Sequence, residues 1–122
     1  MHAFFEIIVF TAASQEYADF ILNWIDPEKD FIIHRLYRQH TKYEDGVYIK
    51  DLSILNRDLK KTIIVDNIGD NFKRQKQNGI EIKSWYGDPA DTELKILADY
   101  LETFAILRVK DVREILSLFK QD

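Results

Sequence analysis

Phe4-Phe5-Glu6-Ile7-Ile8-Val9-Phe10, running into Thr11-Ala12-Ala13-Ser14, is the stretch whose reading decides the fold. A near-continuous β-branched and aromatic run suits a strand buried on both faces. The small residues after it end the strand, and a helical pattern takes over. Tyr17, Phe20, Ile21, Trp24 and Ile25 recur at helical spacing and form one apolar stripe. Ser14 is the expected N-cap, Glu16 and Asp19 suit the positive helix start, and Asp26-Pro27 stops the helix. The same strand design recurs at Thr62-Ile63-Ile64-Val65, again expected to be buried on both faces and again closed by polar residues, Asp66-Asn67. Between the two, Phe31 to Tyr37 reads as a strand, and Asp45-Gly46 turns a hairpin back through Val47-Tyr48-Ile49. Ile80 to Trp85 reads as a shorter strand after an Asn78-Gly79 turn. Asp88-Pro89 opens a helix carrying Leu94, Leu97, Leu101 and Phe104, and Val112, Ile115, Leu116 and Phe119 mark a last one. Strands alternating with helices predict an α/β fold with a mostly parallel sheet. Residues 27–58 form a β-rich insert within a single domain over 1–122.

At 122 residues the chain has the length of one ordinary domain. It is 46% hydrophobic and 31% charged, a folded rather than disordered composition. A formal charge of -4 argues against a nucleic-acid module, which carries a basic face. The absence of cysteine excludes disulfides and thiolate metal sites. No apolar run reaches the roughly 18–20 residues of a membrane span, and Glu6 without a basic leader speaks against a signal peptide.

Open α/β sheets bind ligands beyond the carboxyl ends of their strands. Thr11 follows one such end and Asp66-Asn67 another, which puts a hydroxyl and two hard oxygen donors on one sheet edge. Such oxygens suit Mg²⁺ held with water and phosphate. Lys50, after Tyr48-Ile49, supplies an ammonium for a phosphoryl group. Each residue also has a plainer reading. Asp-Asn is a common turn pair, Thr11 caps a turn, and Lys50 with Asp51 makes an ordinary surface pair. Trp85-Tyr86 reads as packing, and Lys73, Arg74 and Lys76 as a solvated helix face. His2, His34 and His40 lack metal-ligand spacing, and no Gly-rich phosphate loop, nucleophile elbow or HExxH occurs.

In this order, however, the blocks IIVFTAASQEYAD (7–19), LYRQH (36–40), YIKDLSILNRDLKKTIIVDN (48–67), NGIEIKSWYGDPADTEL (78–94) and KDVREIL (110–116) are far more specific. The chain resembles the C-terminal-domain (CTD) phosphatases, the NLI-interacting-factor-like branch of the haloacid-dehalogenase (HAD) superfamily. YRQH, YIKDLS and IKSW resemble the dullard-type group most. The resemblance implies a HAD-like, Rossmannoid, mostly parallel sheet flanked by helices, and Mg²⁺-dependent hydrolysis of phosphoserine or phosphothreonine in protein substrates through an aspartyl-phosphate. It implies that Thr11 and Lys50 hold the phosphoryl group, that Arg38 joins them, that Asn67 contacts Mg²⁺ and that Asp66 supports the metal and the lysine. It also implies a nuclear or nuclear-envelope/ER setting.

One departure outweighs the rest. The family's first motif, DxDx[TV], which bears the nucleophilic and general-acid aspartates, occurs nowhere in the 122 residues. In addition Ile68-Gly69 stands where the family has Ser-Pro. The motif's strand lies centrally in the superfamily, so the domain is expected to be N-terminally incomplete, with two open apolar sheet edges. The chain is then part of an active phosphatase, a protein whose open sheet edge is closed by a partner or a second copy, or a pseudophosphatase that binds without turnover. On its own it is expected to be inactive, with Mg²⁺ weakly bound or unbound. The alternative function is a non-catalytic scaffold for phosphoprotein or peptide, such as the mitochondrial presequence-translocase receptor subunit of the same family.

Overall fold

In the computed structural model, which describes residues 5–82 and 109–119, the opening apolar run is a strand over Ile7–Phe10 (β1). It is half-buried throughout rather than buried on both faces. The reason is its company: β1 pairs in parallel with Ile32–Leu36 (β2), and the described residues give it no second neighbour. The described chain is a mixed α/β structure of three two-stranded sheets, two parallel and one antiparallel. By internal contacts it divides into two compact units, Met1–Lys50 and Asp51–Asp122. None of the described helices is long and apolar enough to cross a membrane.

In the first unit the helix Gln15–Ile25 (α1) starts where the sequence places it, with Ser14 Oγ accepting the Tyr17 N–H at 3.4 Å. Its orientation overturns the simple amphipathic reading. Only Ala18 is buried, while Trp24 is 82% and Phe20 72% exposed, with Tyr17, Ile21 and Ile25 exposed as well. The polar stripe Gln15, Asp19, Asn23 instead meets β2 and the residues after it. Arg35 Nη1 donates to Asp19 and Asn23, both at 3.0 Å, and Tyr37 Oη donates to Asp19 at 2.5 Å. Gln39 Nε2 adds a 2.9 Å bond to Gln15. Hydrogen bonds to an ion pair set this helix face, not apolar burial. The Tyr37 hydroxyl, with Arg35, holds the Asp19 carboxyl below its ordinary range.

Asp26, the C-cap of α1, organises the next turn. It is 2% exposed, and its carboxylate accepts the N–H groups of Asp30 (3.0 Å), Phe31 (3.2 Å) and Ile32 (2.9 Å). Lys29 takes positive φ (56°) to wrap the chain around it. The Ile32 amide, with those of Asp30 and Phe31, holds the carboxyl below its usual range against the opposing effect of burial. Replacing Asp26 with Ala strands those amides, and a fall in melting temperature of roughly 10 °C or more is expected by circular dichroism. The pH dependence follows from the same depression. A carboxylate whose folded pKa is lowered stabilises fully above its unfolded value of about 3.9 and loses that contribution as pH falls through the folded value. Asp19, Asp26 and Asp111 are all lowered, so melting is expected to be flat above about pH 5 and to fall steeply below about pH 4. Asp26→Asn should make that acid slope shallower.

The hairpin is as the sequence indicates. Lys42–Glu44 (β3) and Val47–Ile49 (β4) pair antiparallel around Asp45 and Gly46, both at positive φ (52° and 81°). That pattern is the primed turn for which Asp-Gly is selected.

In the second unit Ile64–Asp66 (β5) pairs in parallel with Gly79–Glu81 (β6). β5 alternates rather than being doubly buried, with Ile64 inside and Val65 37% exposed. Leu52, Ile64 and Phe72 form the core, flanked by Leu55 and Leu59. Asn78-Gly79 is not a turn, since Gly79 is extended. Asn78 is buried and donates to the carbonyls of Leu59 (2.6 Å) and Thr62 (2.9 Å), which pins the start of β6. The last helix, Val112–Phe119 (α2), buries Val112 and Leu116 as its spacing requires. The helix expected after Asp88, the pair Trp85-Tyr86, and His2 lie outside the described residues.

Candidate functional site

The parallel pairing of β1 and β2 brings their carboxyl ends level, Phe10 opposite Leu36. The segments that follow remain bonded. Thr11 N donates to Leu36 O at 3.0 Å and Arg38 N to Ala13 O at 3.1 Å. Thr11 Oγ1 accepts the Ala13 N–H at 3.0 Å, so the hydroxyl caps its own turn and still has its proton to donate. Arg38 begins a short helical turn, Arg38–His40, whose start is fixed by His40 Nδ1 accepting the Tyr37 N–H at 2.9 Å. That gives His40 a structural task, in keeping with its lack of metal-ligand spacing. The exposed Arg38 side chain is held twice: Nε donates to Ala12 O at 2.7 Å, and Cζ lies 5.1 Å from the centre of the Tyr48 ring. Two of the expected phosphate contacts, Thr11 and Arg38, therefore share one rim. A hydroxyl donor beside a fork of N–H groups can take the oxygens of a tetrahedral anion.

Lys50 directly follows β4 and is half-buried. Asp51, the other half of the surface pair read from the sequence, has partners in its own unit. Its carboxylate caps Leu52–Leu55 by accepting from Ser53 N (2.9 Å), and it also accepts from Gln75 Nε2 (2.8 Å) and Arg74 Nη1 (3.0 Å). Burial raises the Asp51 pKa, but Ser53, Gln75 and Arg74 outweigh it and hold the carboxyl far below the ordinary range. Arg74, read as part of a solvated face, is thus tied down within the irregular helical segment Gly69–Asn78.

Asp66 and Asn67 close β5 in the second unit. Asp66 is buried, and Oδ1 accepts the Ile68 N–H at 3.1 Å while both oxygens lie 3.3 Å from Asn71 Nδ2. The turn role of the Asp-Asn pair is therefore real. Ile68-Gly69 is accommodated there, with Gly69 N donating to Glu81 at 3.2 Å. Asn67 is exposed at the tip. Among the described residues no three His, Cys, Asp or Glu side chains gather as a metal site. Two hard oxygen donors nonetheless fit Mg²⁺ in its usual manner, with one or two protein ligands and the rest water and phosphate.

Sequence reasoning missed the carbonyl of Ala12 and the ring of Tyr48. Tyr48 was visible only as an apolar strand residue; its placement opposite Tyr43 across an Asp-Gly turn was the signal available.

The profile of the NLI interacting factor-like phosphatases matches residues 1–113, which is most of the chain. The chain belongs to this family. It is 49% identical over 112 residues to CTD small phosphatase-like protein 3 of Caenorhabditis elegans, covering 92% of this chain and 39% of that protein. With CTD small phosphatase-like protein 2 of Dictyostelium discoideum it shares 49% over 109 residues, 89% of this chain and 19% of the relative. It is also 44% identical over 117 residues to the mitochondrial import inner membrane translocase subunit TIM50 of Candida albicans, covering 96% of this chain and 25% of that protein. The NLI interacting factor-like segment thus spans well under half the length of these relatives.

Proposed function

We propose that the chain is the phosphate-holding part of a Mg²⁺-dependent protein serine/threonine phosphatase domain of the CTD-phosphatase type, with a HAD-like sheet within a single domain. The observation that carries this is the tie between the Thr11 turn and Arg38, which puts a hydroxyl donor and a guanidinium on one rim. In this reading Thr11 donates to a phosphoryl oxygen and Arg38 takes two more through its Nη edge. Lys50 offsets the negative charge of the phosphoryl group. In the second unit, Asn67 is the residue that would hold Mg²⁺ directly, with Asp66 keeping its turn in shape. When bound, the ion would neutralise phosphoryl oxygens. Positioned cations are most of what phosphoryl transfer asks of a protein.

The 122 residues contain no DxDx[TV] aspartate pair to attack phosphorus or protonate the leaving group. The chain by itself is therefore expected to bind phosphoserine or phosphothreonine without hydrolysing it. An assay with p-nitrophenyl phosphate and Mg²⁺ on the pure chain checks this, and no release above background is expected. Turnover that Asn67→Ala or Lys50→Ala abolishes would overturn the inactive reading.

A second reading, a non-catalytic peptide-binding subunit, is supported by the 39–44% identity to TIM50 proteins of several fungi. The two readings separate on ligand preference. A receptor for unmodified peptide binds serine and phosphoserine peptides alike, whereas the phosphate site prefers the phosphorylated one.

A further inference from the structure

We propose that Tyr48 is a positioning residue for Arg38, holding the guanidinium in its phosphate-accepting pose before any ligand arrives; this rests on the reading of Arg38 as a phosphate contact. An exposed arginine that is not already held loses rotamer freedom when a ligand fixes it. Here two restraints act at once. The Nε–H is spent on Ala12 O at 2.7 Å, and the planar group lies over the Tyr48 ring at 5.1 Å from its centre. The Nε–H bond leaves Nη1 and Nη2 as the remaining donors of the fork, and neither bonds a described residue. The ring is itself fixed. Tyr48 is half-buried on β4, lies directly opposite Tyr43 in the hairpin register, and packs against that ring at 4.9 Å and 57°. The hairpin thus acts on Arg38 through an aromatic face, and the Asp45-Gly46 turn sets the register that places the ring.

The restraint comes from the face of the ring and not from its hydroxyl, which gives a sharp test on the 122-residue chain. The Arg38 Nε–H resonance in a ¹H–¹⁵N spectrum reports the clamp without any ligand. It should be resolved and shifted in the wild type, unchanged in Tyr48→Phe, and moved toward the free arginine position in Tyr48→Leu. Binding of a phosphoserine peptide, followed by fluorescence anisotropy, should be unchanged in Tyr48→Phe and weakened roughly 2- to 5-fold in Tyr48→Leu. Arg38→Lys, which keeps the charge but has no Nε–H and no planar face, should weaken it at least as much. In an Arg38→Ala background Tyr48→Leu should add nothing, because it acts only through Arg38. An Nε–H resonance indifferent to Tyr48→Leu sinks the proposal, as does a full Tyr48→Leu effect that persists without Arg38 or wild-type affinity in Arg38→Lys. A clamp seen in the spectrum of a wild-type chain with no phosphopeptide affinity would instead remove the reading of Arg38 beneath it, and the proposed role with it.

Discussion

Gly79→Ala is expected to unfold the second unit or leave it marginal, at a cost of about 3 kcal/mol or more. The reason is a single close approach. A Cβ at Gly79 would stand 2.0 Å from Cε2 and 2.2 Å from Cδ2 of Phe72, far inside van der Waals contact. Phe72 cannot swing away cheaply, since it is 3% exposed and packed with Leu52 and Ile64. Gly79 is needed here for space rather than for backbone freedom, because its φ of -106° is open to any residue. The damage falls on β6, which supports β5 and hence the Asp66-Asn67 turn. Urea melts should show the loss, and Gly79→Ala combined with Phe72→Leu should recover part of it by making room. Wild-type stability in Gly79→Ala alone would mean that the ring does not lie against β6.

Arg38→Ala should leave stability nearly unchanged, as the side chain is exposed, and cut phosphoserine-peptide affinity roughly 10- to 100-fold. That range corresponds to the about 1.5–3 kcal/mol expected for hydrogen bonds to a charged group. The same variant should bind an unphosphorylated peptide as the wild type does. Isothermal titration of the two peptides against both proteins gives all four affinities. An equal loss for both peptides would make Arg38 a general peptide contact and would favour the receptor reading.

What the sequence made legible was local or motif-borne. Asp45-Gly46 specifies its turn through backbone chemistry alone, and Ser14 marks a helix start with a side chain that reaches only three residues ahead. Thr11 and Arg38, 27 positions apart, were joined beforehand only by a family resemblance, and the structure brings them to one rim through backbone bonds. Physical periodicity failed where tertiary partners decide. The α1 stripe has helical spacing, but Asp19 pairs with Arg35 and Tyr37 on the opposite side, so the polar stripe meets the sheet and Trp24 meets solvent. Asn78-Gly79 has the composition of a turn, yet Asn78 is spent on two distant carbonyls and Gly79 on a neighbouring ring. Asp26 looked like a helix stop and is also the anchor of three amides, a role with no sequence signature beyond its proline neighbour. The same limit hid Tyr48, because a ring beneath a guanidinium is a contact between a strand and a helical turn ten residues away.

The most direct test of the central claim is one titration of the wild-type chain in Mg²⁺, with matched phosphoserine and serine peptides and with free phosphate assayed in the same samples. Tighter binding of the phosphorylated peptide is expected, weakened by Thr11→Ala and Arg38→Ala, with no phosphate released. Equal affinity for the two peptides, or release of phosphate that Lys50→Ala abolishes, would contradict it.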